Sequence, residues 1–147
     1  MDPTPEDELR RVDRTFAFID LSGFTAFTDA EGDGAAVRVL EEFRRTVRSV
    51  VARRGVRIAK WLGDGAMLVG VEPEQTVEAV VEIEARAHRS EAPLPLRAGI
   101  ARGPALLIEG DDPVGAAVNL ASRLCHLAQP QQAPPPASPA PSPLLTP

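Results

Sequence analysis

Residues 56–71, VRIAKWLGDGAMLVGV, leave the chain few ways to fold. Two short apolar runs flank Gly63-Asp64-Gly65, the pattern of two antiparallel strands joined by a tight turn whose residues tolerate positive φ. The stretch therefore predicts a β-hairpin with a carboxylate at its tip. A hairpin alone is not stable in water, so it needs further strands or a helix to cover it. The flanking sequence offers both. Residues 15–19, TFAFI, are dense in aromatic and β-branched residues and predict a central strand. It closes on a second carboxylate, Asp20. From residue 33 to 54, Ala36, Leu40, Phe43, Val47 and Val50 recur at three and four residues, and Gly55 follows as a C-terminal cap, which predicts an amphipathic helix.

Beyond the hairpin, Pro73 opens a second helix running to about residue 90, with Val77, Val80, Val81 and Ile83 on its buried side. Pro93 and Pro95 end it. Residues 96–101 and 105–108 read as two strands around Gly103-Pro104, and residues 114–128 as a third long helix. The order strand, helix, hairpin, helix, strand predicts an α+β fold, with helices on one face of a largely antiparallel sheet and the other face open to a ligand or a second subunit. Residues 1–14 are a charged, proline-containing lead-in expected to be loose. Residues 129–147 hold eight of the fifteen prolines, and cannot bury enough apolar surface to fold, so they read as a disordered tail. The folded domain is residues 15–128.

Composition narrows function by exclusion. The net charge of −5 gives no global electrostatic footprint for nucleic acid or an anionic membrane. The arginines at 44, 45, 48, 53, 54 and 57 read as the solvated face and C-terminal end of a helix. Cys125 is alone and no Cys/His cluster has zinc spacing. His88 and His126 are isolated, and read as structural or exposed. No apolar run approaches the roughly 20 residues that span a bilayer, so the sequence predicts a soluble, cytoplasmic protein without a membrane segment.

The chemistry is concentrated in a few side chains. Asp20 and Asp64, at the ends of neighbouring strands, suit hard divalent cations, whose remaining ligands substrate phosphates would supply. Each also has an ordinary explanation: Asp20 as the cap of the helix that follows, Asp64 as turn chemistry. Residues 21–25 can present backbone N–H groups at a helix start, an anion site. Lys60 is the only lysine among sixteen basic residues, which suggests that its position needs an ammonium. Arg97 lies inside a strand, where an unpaired charge is costly unless it meets an acid or a phosphate. Asn119 and Arg123, four apart, share one helical face, which is either a solvent edge or a contact to an interface or anion. Asp112, before Pro113, reads most simply as a helix cap.

In combination these segments resemble the catalytic domains of class III adenylate and guanylate cyclases. FIDLSGFT resembles the family's metal-binding strand and phosphate-binding turn; KWLGD its second metal-binding block; LRAGIARG the strand whose arginine contacts the triphosphate; and DPVGAAVNLASRL the block of base selection and transition-state stabilisation. The resemblance covers residues 15–128. It implies a ferredoxin-like, palm-like sheet in the nucleotide cyclase fold, here C-terminally short, because the family continues with further strands and a late lysine where this sequence becomes proline-rich. It implies that Asp20, Asp64 and the backbone carbonyl of Leu21 hold two Mg²⁺ or Mn²⁺ ions, and that Gly23, Phe24, Thr25 and Arg97 bind the phosphates. By the same resemblance Lys60 and Asp112 read the base, with Asn119 and Arg123 catalytic. Family members work as head-to-tail dimers, so the resemblance implies a homodimer with composite sites. Asp20 and Asp64 would come from one subunit, and Lys60, Asp112, Asn119 and Arg123 from the other. The implied activity is conversion of ATP to 3′,5′-cyclic AMP and pyrophosphate. The alternative is a catalytically weak, truncated cyclase-like domain that binds nucleotide or a partner in signalling.

Overall fold

The hairpin forms where the two apolar runs place it. In the computed structural model, which describes residues 10–90, 94–108 and 112–128, β2 (Val56–Leu62) and β3 (Gly65–Gly70) pair antiparallel, and Gly63 turns the chain with φ of 58°. β3 is buried along its whole length because it lies inside a five-stranded antiparallel sheet ordered β2-β3-β1-β4-β5. β1 (Arg10–Leu21) is the central strand, as its composition requires, but it is longer than residues 15–19. Residues 10–14, read from sequence as loose, belong to it because β4 (Leu96–Ile108) extends far enough to pair with them: Arg14 opposes Gly103, and Val12 opposes Ala105. Residues 1–9 and 129–147, the remainder of the expected lead-in and the expected tail, lie outside the described residues.

β4 is one strand where the sequence suggested two. Gly103-Pro104 does not turn the chain, because β4 pairs with β1 without a break through both residues, whereas β5 (Asp112–Val114) pairs only with residues 106–108. At Pro104 one edge of β4 is therefore open, and a residue without an N–H is tolerated there. β5 also takes Val114, the expected first residue of the last helix, which begins instead at Ala116.

Among the described residues four helices flank the sheet: α1 (Phe24–Glu31), α2 (Asp33–Arg54), α3 (Pro73–His88) and α4 (Ala116–Leu127). On α2, Ala36, Phe43, Val47 and Val50 are buried as their spacing demands, and Gly55 ends the helix at φ 71° with its N–H on the carbonyl of Val51. α3 buries Thr76, Ala79, Val80 and Ile83, leaving Val77 and Val81 at 42% and 56% exposure. The stripe is rotated because Thr76 takes the core position: Gly70 leaves it room, and its hydroxyl donates back to the Glu72 carbonyl at 3.0 Å.

Successive residues of β1 point to opposite faces. Ala17, Ile19 and Leu21 pack with Phe43, Val47, Val50 and Ile83 of α2 and α3. Phe16 packs with Met67, Val69, Ala117, Val118 and Ala121, so α4 covers part of the face that the helix count left open. That approach depends on Gly99, where a Cβ would run into the Ala121 carbonyl and the Cys125 amide. The accumulated twist of the sheet brings its two edge strands, β2 and β5, into contact. Within this α+β architecture the order β4-β1-β3-β2 is the ferredoxin-like one. No helix among the described residues is long and apolar enough to cross a membrane.

Candidate active site

Asp20 and Arg97 face each other across the β1–β4 pairing. The guanidinium meets the carboxylate with two bonds, Nε to Oδ1 at 3.1 Å and Nη2 to Oδ2 at 3.0 Å, so the charge inside β4 is answered by an acid. This geometry also disposes of the capping explanation for Asp20: the N-cap of α1 is Gly23, and no side chain bonds there. Asp64 sits at the hairpin tip, tied to the end of β1 by the N–H of Leu21, which donates to the Asp64 carbonyl at 3.0 Å. Gly65 makes the approach possible, because a Cβ there would collide with the Ile19 carbonyl and the Asp20 side chain. Both carboxylates line one cleft of about 330 Å³, walled by Phe18 and Leu62 on the sheet and by Ser122, Cys125 and His126 of α4.

The electrostatics follow from this proximity. Burial raises the Asp64 carboxyl above its ordinary 3.8; its own N–H opposes the shift, the Asp20 charge adds to it, and Arg97 offsets it. The hydrogen bond to Asp20 is the main cause that raises Arg97 above the ordinary arginine value. Burial, and secondarily Asp20, pushes the Cys125 thiol up to about 12; the thiol donates to the Arg97 carbonyl at 3.6 Å.

The donor set fits a hard divalent cation. A carboxylate whose ionised form is disfavoured by burial and by the Asp20 charge, as Asp64 is, is what such an ion would relieve. Among the described residues no group of three or more His, Cys, Asp or Glu side chains is arranged to hold a metal ion. One or two carboxylates with phosphate and water oxygens is the arrangement Mg²⁺ accepts. Both Asp20 oxygens are engaged by Arg97, which an ion would have to share or displace.

The other residues singled out from sequence are distributed around this cleft. Leu21 is the last residue of β1, with its side chain buried. Gly23 has φ 78°, and Phe24 and Thr25 form the first turn of α1, where N–H groups lie outside the helix's own ladder. Lys60 is exposed on β2, just past a register shift, and Asp112 opens β5; the contact between these edge strands brings their elements together. Asp112 is not a cap, since Gly115 holds that position. Asn119 and Arg123 are exposed and do not line the cleft, whereas Ser122, Cys125 and His126 do. Ser122 carries no signal of its own in the sequence, and Cys125 and His126 read there only as isolated side chains, although their spacing of three and four from Ser122 marks one helical face. The arginine run is not only a solvated face: Arg53 and Arg54 bond Glu82 of α3, while Arg44 and Arg48 stack on Trp61.

No protein-family model matches the chain. An uncharacterized protein of Mycobacterium tuberculosis is 41% identical over 115 residues, 78% of this chain and 30% of that protein. The adenylate cyclase of Streptomyces coelicolor is 38% identical over 125 residues, 83% of this chain and 32% of that protein. The matched stretch thus spans about a third of the length of these relatives. The fold is similar to the guanylyl cyclase domain of the RhoGC fusion protein of the fungus Blastocladiella emersonii, with a TM-score of 0.77, 21% identity, and coverage of 84% and 80% of the two chains. It is also similar to the adenylyl cyclase CyaB of P. aeruginosa, with a TM-score of 0.73, 24% identity, and coverage of 84% and 76%. The stretch from β1 to α4, with its ferredoxin-like sheet and its Asp20–Arg97 and Asp64 cleft, belongs to the class III adenylyl and guanylyl cyclase catalytic domains.

Proposed function

We propose that this domain cyclises ATP to 3′,5′-cyclic AMP and pyrophosphate, using Mg²⁺ or Mn²⁺ held by Asp20, Asp64 and the Leu21 carbonyl, and that it works as a homodimer. The observation that carries the reading is the meeting of Asp20 and Asp64 in one cleft, with Arg97 bonded to Asp20. The ions, when bound, supply activation of the 3′ hydroxyl and neutralisation of the departing pyrophosphate. Arg97 presents a planar fork suited to a phosphate as well as to a carboxylate, so it can move from Asp20 to the substrate. The N–H groups of Gly23, Phe24 and Thr25 receive a phosphate oxygen at the positive end of α1. Lys60 and Asp112 read the adenine edge, one as donor and one as acceptor.

Asn119 and Arg123 act in this reading on the partner subunit's cleft. Their outward position supports it, as do the neighbouring Leu120 and Leu124, both partly exposed on α4. The similar solved guanylyl cyclase domain is found in a non-canonical dimeric form as well as in monomeric forms, and the Streptomyces relative is an adenylate cyclase. The test is direct: cyclic AMP and pyrophosphate formed from ATP with Mg²⁺ or Mn²⁺, in the wild type and in Asp20→Ala and Asp64→Ala. Each substitution should lower turnover by orders of magnitude, since the lost charge stabilisation amounts to several kcal/mol of barrier. Retention of most of the metal-dependent rate in either variant would refute the assignment.

A further inference from the structure

The outside of the hairpin is held by α2. The Cζ of Arg44 lies 4.8 Å, and that of Arg48 5.4 Å, from the ring centroid of Trp61, within the range of cation–π attraction. Arg44 alone of the two is recorded reaching the turn, where its Nη2 donates to the Gly63 carbonyl at 3.3 Å. That carbonyl and the N–H of Asp64 belong to one planar peptide unit, so the bond fixes the plane from which the Asp64 backbone starts. On its other side the Asp64 carbonyl accepts the Leu21 N–H at 3.0 Å. Gly63, at φ 58°, has no side chain to hold the turn, and Arg44 does not line the cleft.

We propose that Arg44, stacked on Trp61 and bonded to the Gly63 carbonyl, is a positioning residue that sets the direction of the Asp64 carboxylate toward Asp20 without touching substrate. The proposal rests on Asp64 being a metal ligand. A purely stabilising role fits the geometry poorly, because the Arg44 Nε is buried with no hydrogen-bond partner among the described residues, and a buried unpaired donor is a cost to folding. Arg44→Met keeps the apolar stem over the indole, removes that donor and removes the bond to the turn. Stability and positioning should then separate.

The experiment is amide exchange by NMR, thermal unfolding and Mn²⁺ titration by water-proton relaxation, on the full chain as wild type, Arg44→Met, Arg44→Lys and Arg48→Met. In Arg44→Met the Leu21 amide should exchange about five- to tenfold faster, the loss of one solvent-facing hydrogen bond of ordinary strength. The Ala17 amide and the Tm should be unchanged or the Tm higher, and the Mn²⁺ Kd should rise about fivefold. Arg44→Lys should recover part of the protection, since a lysine keeps the charge but not the stacked fork. Arg48→Met should leave Leu21 as it is. An Arg44→Met chain with Leu21 exchange within about twofold of wild type, or with all amides faster in parallel with a lower Tm, overturns the proposal. Asp64→Ala separates the two readings: if it keeps Mn²⁺ binding, the metal assignment fails, and Leu21 exchange still decides whether Arg44 holds the turn.

Discussion

Asp20 and Asp64 share a cleft, yet replacing each with asparagine should have opposite consequences for stability. Asp20 accepts two charge-assisted bonds from Arg97, and the two side chains are only 22% and 28% exposed. Asparagine keeps one acceptor and leaves the guanidinium short of a charge partner. Bonds to charged groups contribute about 1.5–3 kcal/mol when buried and about 0–1 when exposed, so a partly buried pair places Asp20→Asn at about 1–2 kcal/mol of destabilisation. At this chain length that corresponds to a Tm lower by about 2–8 °C. Asp64 is the reverse case, because burial and the Asp20 charge disfavour its ionised form. An amide oxygen can still accept from its own N–H, so Asp64→Asn should be within about 0.5 kcal/mol of wild type and on the stabilising side. Urea unfolding at pH 7 with EDTA, followed by circular dichroism, measures both values free of metal. Equal destabilisation by the two substitutions, or an Asp20→Asn chain as stable as wild type, would refute this account of the cleft.

Three further outcomes are expected. If the sites are composite, mixing inactive Asp20→Ala with inactive Arg123→Ala chains restores turnover, because one of the two heterodimer sites is complete; a dead mixture with demonstrated heterodimers refutes it. Cys125, its thiol at about 12, should be alkylated at pH 8 about a thousandfold more slowly in the native chain than an ordinary cysteine; labelling at the rate of the urea-unfolded chain would show that the helix face is open. ATP should be used in preference to GTP, and Lys60→Glu with Asp112→Cys should erode the ratio of kcat/KM values, since mismatched buried hydrogen bonds discriminate by powers of ten; equal use by the wild type refutes the base-reading pair.

What the sequence conveyed best was local. The hairpin, the α2 stripe and the Gly55 cap each rest on contiguous residues, and they form as read. The errors came from pairing at a distance. Residues 10–14 carry no strand signal of their own and become strand because β4 runs past Pro104 to meet them. Val81 is as apolar as any core residue, yet it is displaced by Thr76, which Gly70 accommodates from another element. Within the candidate site, the acidic tips were legible because chain reversal and charge coincide there. The Asp20–Arg97 bond was not, since 77 residues separate the partners.

Helix α4 turns Asn119 and Arg123 away from the cleft of its own chain. Ala117, Val118, Ala121 and Cys125 are spent on the sheet, and Gly99 draws the helix so close that little room remains beneath it. Ser122 and His126 take the flank that walls the cleft. Successive residues are about 100° apart on a helix, so Asn119 and Arg123 fall on the remaining side, with Leu120 and Leu124. Rotating the helix to bring Arg123 inward would expose Ala121 and Cys125 and bury an unpaired guanidinium, which no local adjustment offsets. Either those two polar side chains meet only water, or they meet another molecule that also covers the leucines, and a second copy of this chain offers an open cleft lacking them. In the proposed dimer, α4 thus walls the cleft of its own subunit and completes that of its partner.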